Sequence, residues 1–218
     1  MKILIVSATH FEVIPLTNFL GIALPTIGKN HANMDFEEKD IDVLITGVGM
    51  VNTALMIGRV LDDSYDLVLN VGICGAFDKT MELGQVVRIK KDILSELGAE
   101  DDNDFLTYDQ LDLSGAHIYF DHVSDSYKIA LRSVTGITVN TVHGNEQNIE
   151  KVRQLYHPDV ESMEGAAFFA ACLNSKSNYM QIRAISNHVE KRDKSKWQMA
   201  LAIKNLNDYL INLITTIH

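Results

Sequence analysis

Three polar side chains stand where short apolar runs end: Glu12, Glu164 and Asn187. Glu12 closes Thr9-His10-Phe11-Glu12. T-x-x-E ahead of a helical run is a capping box, with the glutamate reaching back to the cap amide. The same carboxylate at the mouth of a strand is placed to activate water. In VESMEGAA, Glu161 and Glu164 lie three apart, and Glu164 is followed at once by Gly-Ala-Ala-Phe-Phe-Ala-Ala. Glu161 is expected in solvent and Glu164 under cover, where a carboxylate needs donors. Glu164 is then either a helix N-terminal acid favoured by the dipole, or a receiver for the two hydroxyls of a vicinal diol such as ribose. Asn187 follows Ala184, Ile185 and Ser186 in RAISNHVE. Ser and Asn serve as caps and turn formers, yet an amide at the end of a buried strand also offers a donor and an acceptor to a pocket.

Other chemistries are less well supplied. TGVGMVN places Gly47 and Gly49 after a strand and before a helix, but the third position of a dinucleotide fingerprint holds Asn52, so close helix packing there is lost. Cys74 and Cys172 share no C-x-x-C spacing, which indicates neither a disulfide framework nor a zinc site. The histidines occur singly, without H-E-x-x-H spacing, so neither a metal nor an organic cofactor is expected. A net charge of −10, with the acidic residues gathered in runs such as Glu100-Asp101-Asp102-Asn103-Asp104, argues against a nucleic-acid surface. No apolar run reaches membrane-spanning length, and the opening ILIV is too short for a signal core. A cytoplasmic protein with reduced thiols is the expectation.

The elements that must position these residues alternate along the chain. KILIVSA, IDVLITGVG, DLVLNVG, GQVVRIKK, GITVNTV and NYMQIRAIS read as strands, several of them bounded by glycine. Helices run through Phe11 to Leu20, MVNTALMIGRVL, Ile149 to Leu155, EGAAFFAAC and LAIKNLNDYLINLI. That alternation predicts an α/β fold with a largely parallel sheet covered on both faces. Residues 92–125 read as a long excursion for function or subunit contacts. With no repeat and only three prolines, residues 1–218 are expected to form a single domain. Ligands of parallel sheets bind beyond the carboxyl ends of strands, so SATHFE, TGVGMVN, NVGICG and SNHVE are the stretches to inspect.

In this order, Glu12, GVGMVNTA, NVGICGAF, VESMEGAA and RAISN resemble the nucleoside phosphorylase and nucleosidase family over nearly the whole chain. The resemblance implies a three-layer α/β/α domain around a mixed sheet, assembled as a homodimer or higher oligomer, acting on a small nucleoside. It implies that Glu12 activates water, with Arg183 near that water, and that Glu164 and Met163 contact ribose. Ser186 and Asn187 then face the purine, Val142 and His143 lie in the base-lining segment, and Ile73, Cys74 and Gly75 line the same site. Orthophosphate needs several donors, usually including arginine, whereas SATHFE, TGVGMVN and NVGICGAF contain no Lys or Arg; hydrolysis is therefore favoured over phosphorolysis. Adenine-specific nucleosidases of the family carry Asp where Asn187 stands. An amide can donate to N7 or O6 of a 6-oxopurine without a shifted pKa, which favours hypoxanthine as the leaving base. Three further stretches, ELGAEDDNDFL, TVNTVHGNE and SNHVEKRDKSKWQMALAI, carry a closer likeness to the branch that hydrolyses an inosine-like nucleoside. The carboxylate of such a substrate needs a donor, with Arg192, His188 or a residue of the excursion as candidates.

Overall fold

The computed structural model describes residues 1–22, 31–102 and 104–217. The strands are β1 (Lys2–Ser7), β2 (His31–Phe36), β3 (Lys39–Ile45), β4 (Leu67–Ala76), β5 (Val86–Leu94), β6 (Gly98–Asp101), β7 (Asp104–Thr107), β8 (Ile118–Phe120), β9 (Arg132–Thr138), β10 (Val160–Ser162) and β11 (Asn178–His188). The helices are α1 (Ile14–Leu20), α2 (Met50–Val60), α3 (Glu146–Tyr156), α4 (Gly165–Cys172) and α5 (Met199–Thr216). Nine strands form one sheet, and β6 with β7 makes a separate hairpin.

The sheet is mixed. Its parallel centre is β3-β1-β4-β11, and its strands are apolar on both faces, as strands covered on both sides must be. Antiparallel neighbours sit further out: β2 on β3, β5 on β11 and β8 on β5. The sheet also curls. β10 runs parallel to β9 and antiparallel to the end of β4, so β4, β11, β5, β9 and β10 close into a ring.

Helices cover both faces, giving three layers. Ile3, Ile5, Leu69, Val71 and Ile182 pack under α1 and α5, through Leu16, Leu20, Leu206, Leu210 and Ile214. Leu4, Val6 and Val68 pack on the other face against Ile57 of α2 and Phe168 and Phe169 of α4. The α5 contacts recur at helical spacing on one face, whereas α4 is apolar all round because it packs against both the sheet and the neighbouring α2.

Three local expectations change. DLVLNVG, expected as a strand to Gly72, continues as β4 through Ala76 because β11 and β10 both bond to its far end. β11 likewise runs through Asn187 to His188, so Asn187 is neither a helix cap nor a turn residue. Phe11, expected inside a helix, lies in a three-residue 3-10 turn (His10–Glu12) and is 75% exposed. Pro15 favours a start for α1 after that turn.

Candidate active site

The carboxyl ends of β1, β3, β4 and β11 open on a cavity of about 630 Å³. Ten of the eleven residues singled out above line it: Glu12, Ile73, Cys74, Gly75, Val142, His143, Met163, Glu164, Ser186 and Asn187. The eleventh, Arg183, lies behind the wall and is wholly buried. Among the described residues of 92–125, none lines the cavity, so these supply no direct ligand. The excursion acts from outside: Glu96 accepts the Asn140 and Thr141 amides at 2.7 and 3.3 Å and pins the start of the loop that carries Val142 and His143.

Glu12 caps the turn with one oxygen and lines the cavity at the end of β1. Its Oε2 accepts the Thr9 amide at 3.0 Å, the Thr9 hydroxyl at 2.8 Å and the Ser7 hydroxyl at 3.3 Å, which caps the short turn. Its Oε1 accepts only the Ile73 amide, at 3.1 Å. The turn is tied from behind by buried Asn207 of α5, which donates to the Glu12 carbonyl at 2.8 Å and accepts the Leu16 amide at 3.0 Å.

Arg183 is the buried cation of this region. Its Nη2 donates to Asn70 Oδ1 and stands 3.8 Å from Glu164 Oε2, while Nε and Nη1 have no partner among the described residues. Buried donors left open are costly unless something meets them. Nη1 and Glu12 Oε1 converge where Gly72 lacks a side chain: a Cβ there would lie 2.3 Å from the first and 2.6 Å from the second. Gly72, Asn70 and Asn207 escaped the reading of sequence because their partners are remote along the chain.

Glu164 occupies the N-cap position of α4 yet makes no capping bond with its side chain. Its Oε1 instead accepts the Gly49 amide at 3.0 Å. Gly49, at φ +96°, adopts a backbone conformation that favours glycine, and this turns its N–H toward the carboxylate. The two-glycine turn of TGVGMVN thus serves a side chain of its own protein.

Asn187 is aimed by a bulge. β11 pairs with β4 as Ile185 to Cys74 and then Asn187 to Gly75, leaving Ser186 extra. A bulge of this kind re-aims the side chains beside it. The Ser186 hydroxyl has its one proton between Asn187 Oδ1 at 2.8 Å and the Cys74 carbonyl at 3.1 Å, while Asn187 Nδ2 donates at 3.1 Å to the His188 carbonyl, which can only accept. The amide orientation is thereby set, and one N–H remains for the cavity. Burial pushes the Cys74 thiol up to about 12, so it stays protonated and is no nucleophile.

Glu161, expected in solvent, is only 4% exposed. It accepts the His143 amide at 3.1 Å and lies 2.7 Å from His143 Nδ1. The outer wall is the loop after β11. There Arg192 lies over Trp197, 5.2 Å from the ring centre, and Glu190 pairs with Lys79 and Lys196. Arg192, Lys191 and His188 all line the cavity. Arg59 is exposed on α2, and Arg88 pairs with Asp121 at 2.5 Å; neither reaches the cavity.

The family model described as the phosphorylase superfamily matches residues 2–215. The chain belongs to that family. A futalosine hydrolase of Thermus thermophilus is 27% identical over 75% of this chain and 76% of that protein. A 5′-methylthioadenosine/S-adenosylhomocysteine nucleosidase of Colwellia psychrerythraea is 27% identical over 98% of this chain and 96% of its own length. The crystal structure of a Colwellia psychrerythraea nucleosidase of that type, in complex with adenine, superimposes with a TM-score of 0.83 at 20% identity, covering 100% of this chain and 96% of that one; this is a likeness of fold.

Proposed function

We propose that the protein hydrolyses the N-ribosyl bond of a 6-oxopurine nucleoside, specifically futalosine, releasing hypoxanthine and dehypoxanthine futalosine. The observation that carries the reading is the Asn187 amide, whose nitrogen is fixed by the His188 carbonyl and keeps one N–H for purine N7 or O6. Cleavage of such a bond passes through an oxocarbenium-like state. Glu164 would hold the ribose diol. Water would sit between Glu12 Oε1 and Arg183 Nη1, with Glu12 as general base. Glu12, Glu161 and Glu164 are all buried, and buried Arg183 lies beside Glu12 and Glu164, while Lys191, Arg192 and Lys196 line the cavity only from the outer loop after β11. That balance suits a developing sugar cation and disfavours orthophosphate, which supports hydrolysis over phosphorolysis.

A second reading is a methylthioadenosine/adenosylhomocysteine nucleosidase. It is favoured by relatives of that name matching nearly the full length of the chain. A purine nucleoside phosphorylase and a nucleoside-binding module without turnover complete the alternatives. The deciding experiment incubates the protein with futalosine, inosine and methylthioadenosine, with and without phosphate, and follows free base. Hypoxanthine from futalosine in phosphate-free buffer is the expected result. Adenine from methylthioadenosine without hypoxanthine from futalosine establishes the second reading. Strict dependence on phosphate makes the enzyme a phosphorylase, and binding without any free base leaves a binding module.

A further inference from the structure

The end of β4 is flanked on both sides by groups that face the same point. Asn187 of β11 is in register with Gly75, and so is Glu161 of β10. A Cβ on Gly75 would lie 3.2 Å from Asn187 Nδ2 and 3.5 Å from Glu161 Cγ. Ring closure therefore brings a second polar group beside the amide, and that group holds a histidine. Glu161 is an acceptor twice over, for the His143 amide and for the ring at Nδ1. A carboxylate has no proton to give, so Nδ1 must carry one. The neutral imidazole then presents a lone pair at Nε2, which has no partner among the described residues. His143 and Asn187 both line the cavity.

We infer that His143, oriented by Glu161, is a specificity-determining residue that accepts the N1–H of a 6-oxopurine. A lactam purine offers a donor at N1 beside an acceptor at O6, whereas adenine offers an acceptor at N1 beside a donor at its amino group. The pair Asn187 N–H and His143 Nε2 is donor beside acceptor, complementary to the first and opposed to the second. Against adenine, the N1 and Nε2 lone pairs face each other, and unpaired buried groups are what make such sites selective. Glu161 is the positioning residue. Its burial, paid against no surface role, is accounted for by fixing one tautomer of the ring. The inference rests on the proposed purine-nucleoside reading of the cavity.

Binding of free hypoxanthine and free adenine, measured by calorimetry, tests it independently of turnover. His143→Phe keeps a ring in the wall and removes the acceptor. It is expected to cut the preference for hypoxanthine by ~10-fold, the size of one lost buried hydrogen bond. His143→Gln, whose carbonyl can accept N1–H, is expected to restore part of it. Glu161→Gln is expected to lower the preference and to mix the tautomers seen in imidazole ¹⁵N spectra. In the wild-type hypoxanthine complex those spectra should place the proton on Nδ1. A preference that survives His143→Phe, or a proton found on Nε2 alone, overturns the role of His143 and leaves the 6-oxopurine reading standing. A wild-type preference for adenine, or failure to bind either base, overturns that reading and the inference together.

Discussion

The Glu12 carboxylate does two jobs with two different oxygens, and substitution can separate them. Oε2 is saturated by Ser7 and Thr9, while Oε1 meets only the Ile73 amide and faces the Arg183 side. Glu12→Gln keeps an acceptor for the cap and removes the base. Base release should fall by ~10²–10⁴-fold, the usual worth of a general base, while thermal unfolding shifts by a few degrees at most. A variant that lost stability while retaining turnover would mean the cap is the whole of its role. Asn187→Asp replaces the one free N–H by a second acceptor while Ser186 can still donate. Hypoxanthine release at neutral pH should drop at least ~10-fold through one lost donor and one new repulsion, read as kcat/KM on futalosine or inosine. Unchanged kinetics would remove Asn187 from base recognition.

Between elements, the site depends on how closely β4 lets its neighbours approach. Gly72→Ala would set a methyl 2.3 Å from Arg183 Nη1 and 2.6 Å from Glu12 Oε1, in a strand bonded on both sides. Arg183 has no exposed surface into which to retreat. Overpacking of this kind costs about 1–3 kcal/mol, so a lower denaturation midpoint together with lost activity is expected. Native stability in Gly72→Ala would show that the arginine has room to shift. The same elements show what can be read without coordinates. KILIVS is recognisable as a buried strand because Ile3 to Val6 are apolar in succession, NYMQIRAIS because Tyr179, Met180, Ile182, Ala184 and Ile185 put apolar side chains on both faces, and LAIKNLNDYLINLI as a helix because its apolar residues recur on one face. The lengths of β4 and β11 are not readable in this way. They are set by each other and by β10, whose Glu161 is remote in sequence from its register partner Gly75. Glu161 was misplaced in solvent for the same reason: its local surroundings carry no sign of the ring that covers it. Glu12, Glu164 and Asn187 could be found because each interrupts an apolar run, whereas Gly72 and Asn207 lie in unremarkable local patterns.

The molecule as a whole carries one buried acid outside the cavity whose titration should be visible in its stability. Asp92 of β5 is 1% exposed, accepts the Thr138 hydroxyl at 2.7 Å and the Gln181 amide at 3.0 Å, and crowds Gly165 at the start of α4. Burial pushes its carboxyl up to about 6, against the lowering effect of those two bonds. The folded state thus holds this proton more tightly than the unfolded one. Its contribution is present below about pH 4 and is lost as pH rises to about 6, a swing on the order of 2–3 kcal/mol. The difference in unfolding free energy between wild type and Asp92→Asn should therefore move in favour of the variant across that window, as followed by urea denaturation. A difference that does not change with pH would mean that Asp92 is ionised throughout. The order of strands has a further consequence, for a chain emerging from the ribosome. β11 is the last strand to be made but the central one to be placed, between β4 and β5. Until it emerges, the nascent chain carries β4 with an unfilled edge, and such edges are the ones that recruit wrong partners. A chain ending at residue 175 should consequently be no smaller version of the protein but a protease-sensitive, aggregating one. If pulse proteolysis instead found that fragment resistant, β1, β3 and β4 would be able to stand without the strand that completes them. Only once β11 is in place do the two walls of Gly75 meet.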